Sequence, residues 1–207
     1  MHYAFCILHY RKRELFMNLI LASASPRRQE LLKLFGVPFS VRVADIDETM
    51  DLTRDPYDEV ARVSHLKALA VERTEDDVII AADTIVVCEG KVLGKPKSEA
   101  DAIATLRLLS GRDHQVMTGC TVLWGEKRAT FTEVTDLHFR ELSDREIARY
   151  VASGEPMDKA GSYGIQGGAA LFCTHMVGDY YNVMGLPVCA LGLRLKELAP
   201  QLMEETL

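Results

Sequence analysis

The stretch Asn18-Leu19-Ile20-Leu21-Ala22-Ser23-Ala24-Ser25-Pro26-Arg27-Arg28-Gln29-Glu30-Leu31-Leu32-Lys33-Leu34-Phe35-Gly36 decides the fold. Residues 19–22 are a short apolar strand. Ser25-Pro26 then starts a helix, because serine at the N-cap accepts an orphan amide bond and proline is tolerated at the first helical position. Leu31, Leu32, Leu34 and Phe35 give that helix one apolar side, and Gly36 suits the left-handed residue that ends it. A strand that feeds straight into a helix is the building unit of an α/β protein.

Downstream the same grammar recurs. Asp55-Pro56 opens a second helix with Val60, Val63, Ala68 and Leu69 as inward positions. Residues 78–82 predict a buried strand, and residues 85–88 and 91–93 a hairpin around Glu89-Gly90. Residues 98–109 predict a helix stopped by Ser110-Gly111. Two longer strands, 114–124 and 129–139, turn through Gly125, and Ser143 with Glu146 forms a capping box. After a glycine-rich stretch come short strands at 170–173 and near 180–183, then a helix over 188–198. Hairpins mixed with strand–helix units predict α/β architecture: a mixed β-sheet with flanking helices, in two lobes around a cleft.

Composition narrows the function. The chain has 207 residues, 48% of them hydrophobic and 26% charged, which is ordinary for a globular domain and excludes disorder. Lysine and arginine number 24 against 30 acids, so the net charge is −6, and a generic nucleic-acid partner, which needs a basic footprint, is not expected. A small anion held in a local basic pocket remains compatible with that balance. Five scattered cysteines without a C-x-x-C pair read as reduced thiols. No stretch supplies the roughly 20 uncharged apolar residues of a membrane span. In residues 1–16 the apolar run precedes the basic cluster, the reverse of a signal peptide, so they read as an appendage to a single domain over residues 17–207, with Met17 an alternative start.

Five constellations carry chemistry. Ser23, Ser25, Arg27 and Arg28 sit at a helix N-terminus, where free amides and forked guanidinium donors suit phosphate. A capped helix with solvated arginines would look the same in sequence, except that two arginines in a first turn oppose the helix dipole unless an anion binds. Asp83-Thr84 places an acid at the end of a buried strand: a structural acid capping a turn, or one that is paired, hydrated, bound to metal or used as a general base. Asp45, Asp47 and Glu48 end another strand-like stretch, with Asp45 and Asp47 on one face; they are solvated loop acids or further metal ligands. Lys95 is held extended before Pro96, and Lys67 lies on the second helix; either lysine could be merely solvated. Residues 158–168 hold four glycines, which make either a plain flexible loop or a close backbone approach to a ligand, and Gln166 there offers both a donor and an acceptor, as a base edge requires. The six histidines show no ligand spacing, and neither G-x-S-x-G, a P-loop nor a dinucleotide fingerprint is present.

In order, LILASASPRRQELL, DIDET, AADTIVV, GKP, YVASGEPMDKAGSYGIQG and VMGLP resemble the Maf family of nucleotide pyrophosphatases over residues 18 to about 198. Within it, Arg27, Thr84 and Gln166 are similar to the dTTP- and UTP-hydrolysing branch rather than the branch acting on 7-methyl-GTP. The resemblance implies a fold shared with the inosine-triphosphate pyrophosphatases, a cytoplasmic enzyme, a divalent cation (Mg²⁺ or Mn²⁺), a nucleoside triphosphate substrate and, at family level, a homodimer. It implies Asp83 as proton acceptor, and Arg27, Thr84 and Gln166 as specificity residues. Ser23, Arg28, Lys67 and Lys95 would sit on the phosphates, and Glu48 with Asp83 on the metal. A nucleotide-binding regulator of cell division or septum formation, and a phosphatase of small metabolites releasing orthophosphate, are the alternatives.

Overall fold

The first strand forms one residue earlier than the sequence predicts. In the computed structural model, which describes residues 17–203, β1 (Asn18–Leu21) lies parallel between β2 (Phe39–Val41) and β3 (Asp77–Cys88). The expectation for residues 1–16 lies outside the described residues. β3 continues antiparallel to β5 (Asp113–Trp124), then β6 (Lys127–Phe139) and β7 (Cys173–Val177). The short β4 (Lys91–Leu93) folds back on the far end of β3 as the expected hairpin. The result is one seven-stranded mixed sheet, in the order β2-β1-β3-β5-β6-β7 with β4 beside β3.

Among the described residues six α-helices accompany the sheet: α1 (Pro26–Lys33), α2 (Pro56–Ala70), α3 (Glu99–Leu109), α4 (Asp144–Ala152), α5 (Tyr180–Met184) and α6 (Val188–Leu198). The start signals act as predicted: the side chains of Ser25, Asp55, Ser98 and Ser143 each accept an amide bond from their first helical turn. Strand alternation divides the core. Ile79, Ala81, Ile85 and Val87 of β3 face α2, whereas Val78, Ile80, Ala82 and Val86 face the larger cluster built with Leu32, Leu106 and Leu191.

Four expectations need correction. The separate strands at 78–82 and 85–88 are one twelve-residue strand, so Asp83 lies in its middle and not at its end. Residues 168–171 form a 3₁₀ turn, and the following strand starts only at Cys173. Residues 180–184 are helical because the Asp179 carboxylate caps the Tyr181 amide at 2.7 Å and Gly185 closes the turn at φ 107°; such a short apolar run carries too little periodicity to separate helix from strand. Leu69 is 45% exposed, because one residue beyond Ala68 turns it off the inward face of α2.

Two contacts set how the layers meet. At Gly119 on β5, an added Cβ would stand 2.3 Å from the Val60 carbonyl oxygen and 2.6 Å from the Ala61 nitrogen, both backbone atoms of α2. Beside it the Ser64 and Thr121 hydroxyls share a hydrogen bond of 2.8 Å. On the other face His114, 2% exposed, pairs its Nε2 with the Tyr163 hydroxyl at 2.9 Å and packs edge-on against Phe139. Burial pushes the His114 pKa down from 6.5 to about 4.

Gly119→Ala is expected to lower unfolding free energy by about 3 kcal/mol, because neither backbone can yield. Gly94→Ala, with nothing within 4 Å of its Cβ, should be nearly neutral. Chemical denaturation of both variants checks this, and equal midpoints would refute the contact. For His114, the unfolded state takes a proton below pH 6.5 that the folded state refuses until about pH 4. The stability this neutral side chain contributes is therefore complete above pH 6.5 and falls away as the pH drops through that window, by about 3 kcal/mol at its foot. His114→Gln keeps a partner for Tyr163 and cannot titrate, so its stability should fall less between pH 6.5 and 4; an unchanged acid slope would assign the effect elsewhere.

Candidate active site

A gap in the sheet makes the site. β1 stops pairing with β3 at Leu21 opposite Ile80, and the Ala22 amide adds one more bond to the Ile80 carbonyl at 2.7 Å. β4 begins pairing only at Val86. Between those points β3 keeps β5 on one side and opens on the other to a cleft of about 890 Å³. Asp83 and Thr84 lie in this gap and, as neighbours on a strand, point to opposite faces of the sheet.

On the α2 face, Lys67 donates from Nζ to Asp83 Oδ1 at 2.7 Å and pairs with Glu48 Oε2 at 2.9 Å. Lys67 stands in the last turn of α2, where the dipole favours a cation. Glu48 comes from the loop before α2, which a buried carboxylate fastens down. Glu59 accepts the Asp51 amide at 2.8 Å and binds Arg62, whose Nη2 also reaches the Thr49 carbonyl at 3.3 Å. The Arg62 guanidinium holds the Glu59 carboxyl below the usual range. Residues 42–50 are not a strand, so the alternation expected of the three acids does not apply. Asp47 turns back to accept the Thr49 amide at 2.9 Å, Asp45 stays exposed, and Glu48 is the acid of the three that lines the cleft.

On the opposite face Arg28 spreads over three anchors. Its Nε donates to the Gly185 carbonyl at 2.8 Å, Nη1 to Ser23 Oγ at 3.1 Å and Nη2 to Thr84 Oγ1 at 3.0 Å. Thr84 in turn shares a bond with Thr118, whose hydroxyl donates to the Asn182 carbonyl. None of these partners is a carboxylate. Burial lowers the Arg28 pKa, opposed chiefly by the field of Asp83. Arg27, one residue earlier, reaches Asp158 at 3.4 Å. Lys95 stands exposed on the rim after β4, and Gln166 is exposed on the turn closed by the Gly167 amide on the Gly164 carbonyl at 3.1 Å.

Every residue to which the family resemblance assigns a role therefore lines this one cleft, whereas Asp45 and Asp47, also candidates for a metal, do not. Sequence reasoning gave no role to Asp158, Lys159 or Glu155, which also line it. Asp158 accepts from both Arg27 and Lys159, the latter at 2.6 Å. The adjacent Asp158-Lys159 pair at the head of the glycine stretch was visible, but nothing in the spacing links it to Arg27, 131 residues away.

The donor set can be tested for a divalent cation. Among the described residues no group of three or more His, Cys, Asp or Glu is arranged to hold a metal. Glu48 and Asp83 nevertheless already converge on one positive charge, the Lys67 ammonium. Two carboxylates completed by substrate phosphates and water are the hard-oxygen set that Mg²⁺ or Mn²⁺ prefers. The residues fit such an ion.

Fold and cleft together define an α/β protein with a groove suited to a small polyanion. The family model for Maf-like proteins matches residues 18–198, and the chain belongs to the Maf family. It is 48% identical over 193 residues to a protein named dTTP/UTP pyrophosphatase from Bacillus cereus (strain ATCC 10987 / NRS 248), covering 92% of this chain and 95% of that one. It is 49% identical over 181 residues to a protein of the same name from Bacillus anthracis (strain CDC 684 / NRRL 3495), covering 87% and 95%. Among solved structures, a HAM1 protein from Coxiella burnetii aligns with a TM-score of 0.49 at 15% identity, over 87% of this chain and 99% of that one. No helix among the described residues is long and apolar enough to cross a membrane.

Proposed function

We propose that this protein hydrolyses UTP and dTTP between the α and β phosphorus atoms, releasing the nucleoside monophosphate and pyrophosphate, and that it works in the cytoplasm. The observation that carries this reading is the back-to-back placement of Asp83 and Thr84 in the gap of β3. It gives one cleft an acid–lysine face for the chemistry at phosphorus and an arginine–threonine face that holds phosphate through Arg28 and meets the base through Thr84. The relatives at 48–49% identity, themselves named for dTTP and UTP, support the substrate.

Asp83 is the base. Lys67 occupies its Oδ1, leaving Oδ2 to take a proton from water as the water oxygen attacks phosphorus. The bond to the bridging oxygen breaks, and pyrophosphate leaves with its electron pair. Among the described residues Arg28 has no carboxylate bonded to it, so its charge is available to the phosphates, together with Lys95 and the Ser23 hydroxyl, and Lys67 joins them by exchanging a partner. Glu48 and Asp83 would hold a divalent cation in exchange for part of their pairing with Lys67, and the ion would supply further neutralisation of the triphosphate. Arg27, Thr84 and Gln166 select the base: uracil and thymine expose an acceptor at O4 and a donor at N3, which one amide side chain can meet.

The test is a product assay with Mg²⁺, offering UTP, dTTP, CTP, GTP and 7-methyl-GTP in parallel. Pyrophosphate with UMP and dTMP is expected. Orthophosphate release would identify a phosphatase instead, and saturable UTP binding without turnover a nucleotide-binding regulator. Asp83→Asn should lower kcat by about 10³-fold while UTP binding stays measurable; retained turnover removes Asp83 as base. Gln166→Glu removes the amide donor and should lower kcat/KM for UTP by about 100-fold with little change in stability. Equal loss of folding would mark that residue as structural.

A further inference from the structure

We propose that Glu155 and Tyr150 form a clamp that positions Gln166, so that Glu155 sets base selectivity without touching the nucleotide; this rests on the reading of Gln166 as a base-contacting residue. The Gly164–Gly167 turn carries Gln166 near its tip, and the Gln166 side chain makes no hydrogen bond among the described residues. The turn itself is fastened at both ends. The Gly164 amide donates to the Tyr150 hydroxyl at 2.9 Å, and that hydroxyl donates to Glu155 Oε1 at 2.9 Å. Glu155 Oε2 accepts the Gly168 amide at 3.0 Å. One carboxylate thus closes a ring from α4 through both flanks of the turn.

The surroundings make this ring stiff. Tyr150 is buried on α4, packed edge-on against Phe172 with centroids 5.2 Å apart. Burial raises its pKa, so the phenol stays protonated and remains a donor to Glu155. Lys159 fixes the clamp from the other side by donating to the Glu155 carbonyl at 2.5 Å. The fit is also close: a Cβ on Gly167 would stand 2.1 Å from Glu155 Oε1, so the turn packs directly on the carboxylate.

Selectivity needs this support because an amide is nearly symmetric on flipping. Gln166 in one orientation matches the acceptor O4 and donor N3 of uracil, and in the flipped orientation it matches the N4 donor and N3 acceptor of cytosine. A freely moving Gln166 reads both bases. The amide flips without moving the turn, so the clamp acts on position: it keeps Gln166, and the base edge on it, in one place against the donor-only guanidinium of Arg27, which suits the uracil O4 and not the cytosine amino group.

The full chain is tested as Glu155→Ala, Glu155→Gln and Tyr150→Phe, with UTP and CTP as competing substrates. In Glu155→Ala, kcat/KM for UTP should fall by about 30-fold, mostly through KM, and the preference for UTP over CTP should fall at least about fivefold. Glu155→Gln should recover most of both, because its carbonyl accepts the Gly168 amide and its NH₂ donates to the tyrosine oxygen. Amide exchange at residues 164–168 should speed up by about tenfold in Glu155→Ala, with α6 unchanged. In a Gln166→Ala background, Glu155→Ala should leave the UTP:CTP ratio where it is. If Glu155→Ala does not fold, Tyr150→Phe, which removes the hydroxyl link alone, carries the same expectations.

An unchanged ratio in Glu155→Ala, or unchanged exchange at 164–168, overturns the clamp. An equal change of ratio with and without Gln166 overturns its action through that residue. If Gln166→Ala itself leaves the ratio unaltered, the base-contacting role of Gln166 fails and takes the selectivity claim with it. If Gln166→Ala alters the ratio and Glu155→Ala does not, only the clamp fails.

Discussion

The backbone of α2 presses on the backbone of β5 at Gly119, and Gly119 is the cross-strand partner of Asp83. Those two facts belong together. A side chain at position 119 would lift α2 off the sheet at the point where the helix passes over the acid. With hydrogen there, the helix settles close enough for Lys67 to meet Asp83 at 2.7 Å. The hydroxyl pair of Ser64 and Thr121 adds a fixed register between helix and sheet. The cation over the acid is thus a consequence of how two backbones pack, and its position is set by rigid elements and not by a loop.

The opposite face follows a different rule. Arg28 hangs from the first turn of α1 and ties together the end of β1, the middle of β3 and the cap after α5 through Ser23, Thr84 and Gly185. Those three points come from distant parts of the chain. Because β1 ends where it does, Thr84 has an open edge beside it and the guanidinium can reach its hydroxyl. The strand that β1 leaves unpaired therefore serves both faces: an odd residue for the acid and an even one for the arginine. A one-residue slip of β3 would exchange them and lose both contacts.

Much of this was legible in the sequence, where the signals are local. Caps at Ser25, Asp55, Ser98 and Ser143 and the bounds of α6 need only a few adjacent residues to read. The cleft residues were legible only jointly: a capped helix, a turn acid, a solvated lysine or a flexible loop accounts for each motif alone, and their order along the chain is what singles them out. What sequence did not reveal depends on contacts between distant segments. The continuity of β3 through Asp83-Thr84 is imposed by ten residues of pairing with β5, which override the polar interruption. The turning of Asp47 back on Thr49, and the reach of Arg27 to Asp158, follow from where loops are fastened. Glu155 gave no signal of its own, since its partners are a phenol on α4 and an amide thirteen residues ahead.

Charge pairing explains how an acidic protein presents a site for a polyanion. Nine charged residues line the cleft, five of them cationic. Lys67 serves both Glu48 and Asp83, while Arg27 and Lys159 share Asp158. Glu155 is satisfied by a phenol and an amide and so draws on no cationic side chain for its carboxylate. That leaves Arg28 and Lys95 as the cleft cations with no ion pair among the described residues, one on the floor and one on the rim. A bound phosphate chain meets these two charges without first breaking a salt bridge, whereas drawing on Lys67 or Arg27 requires an exchange of partners. On the proposed function, attraction of the anion would therefore fall to Arg28 and Lys95. The paired cations would act later, when a bound triphosphate's own charge competes for them at short range, where the cleft walls reduce screening by water.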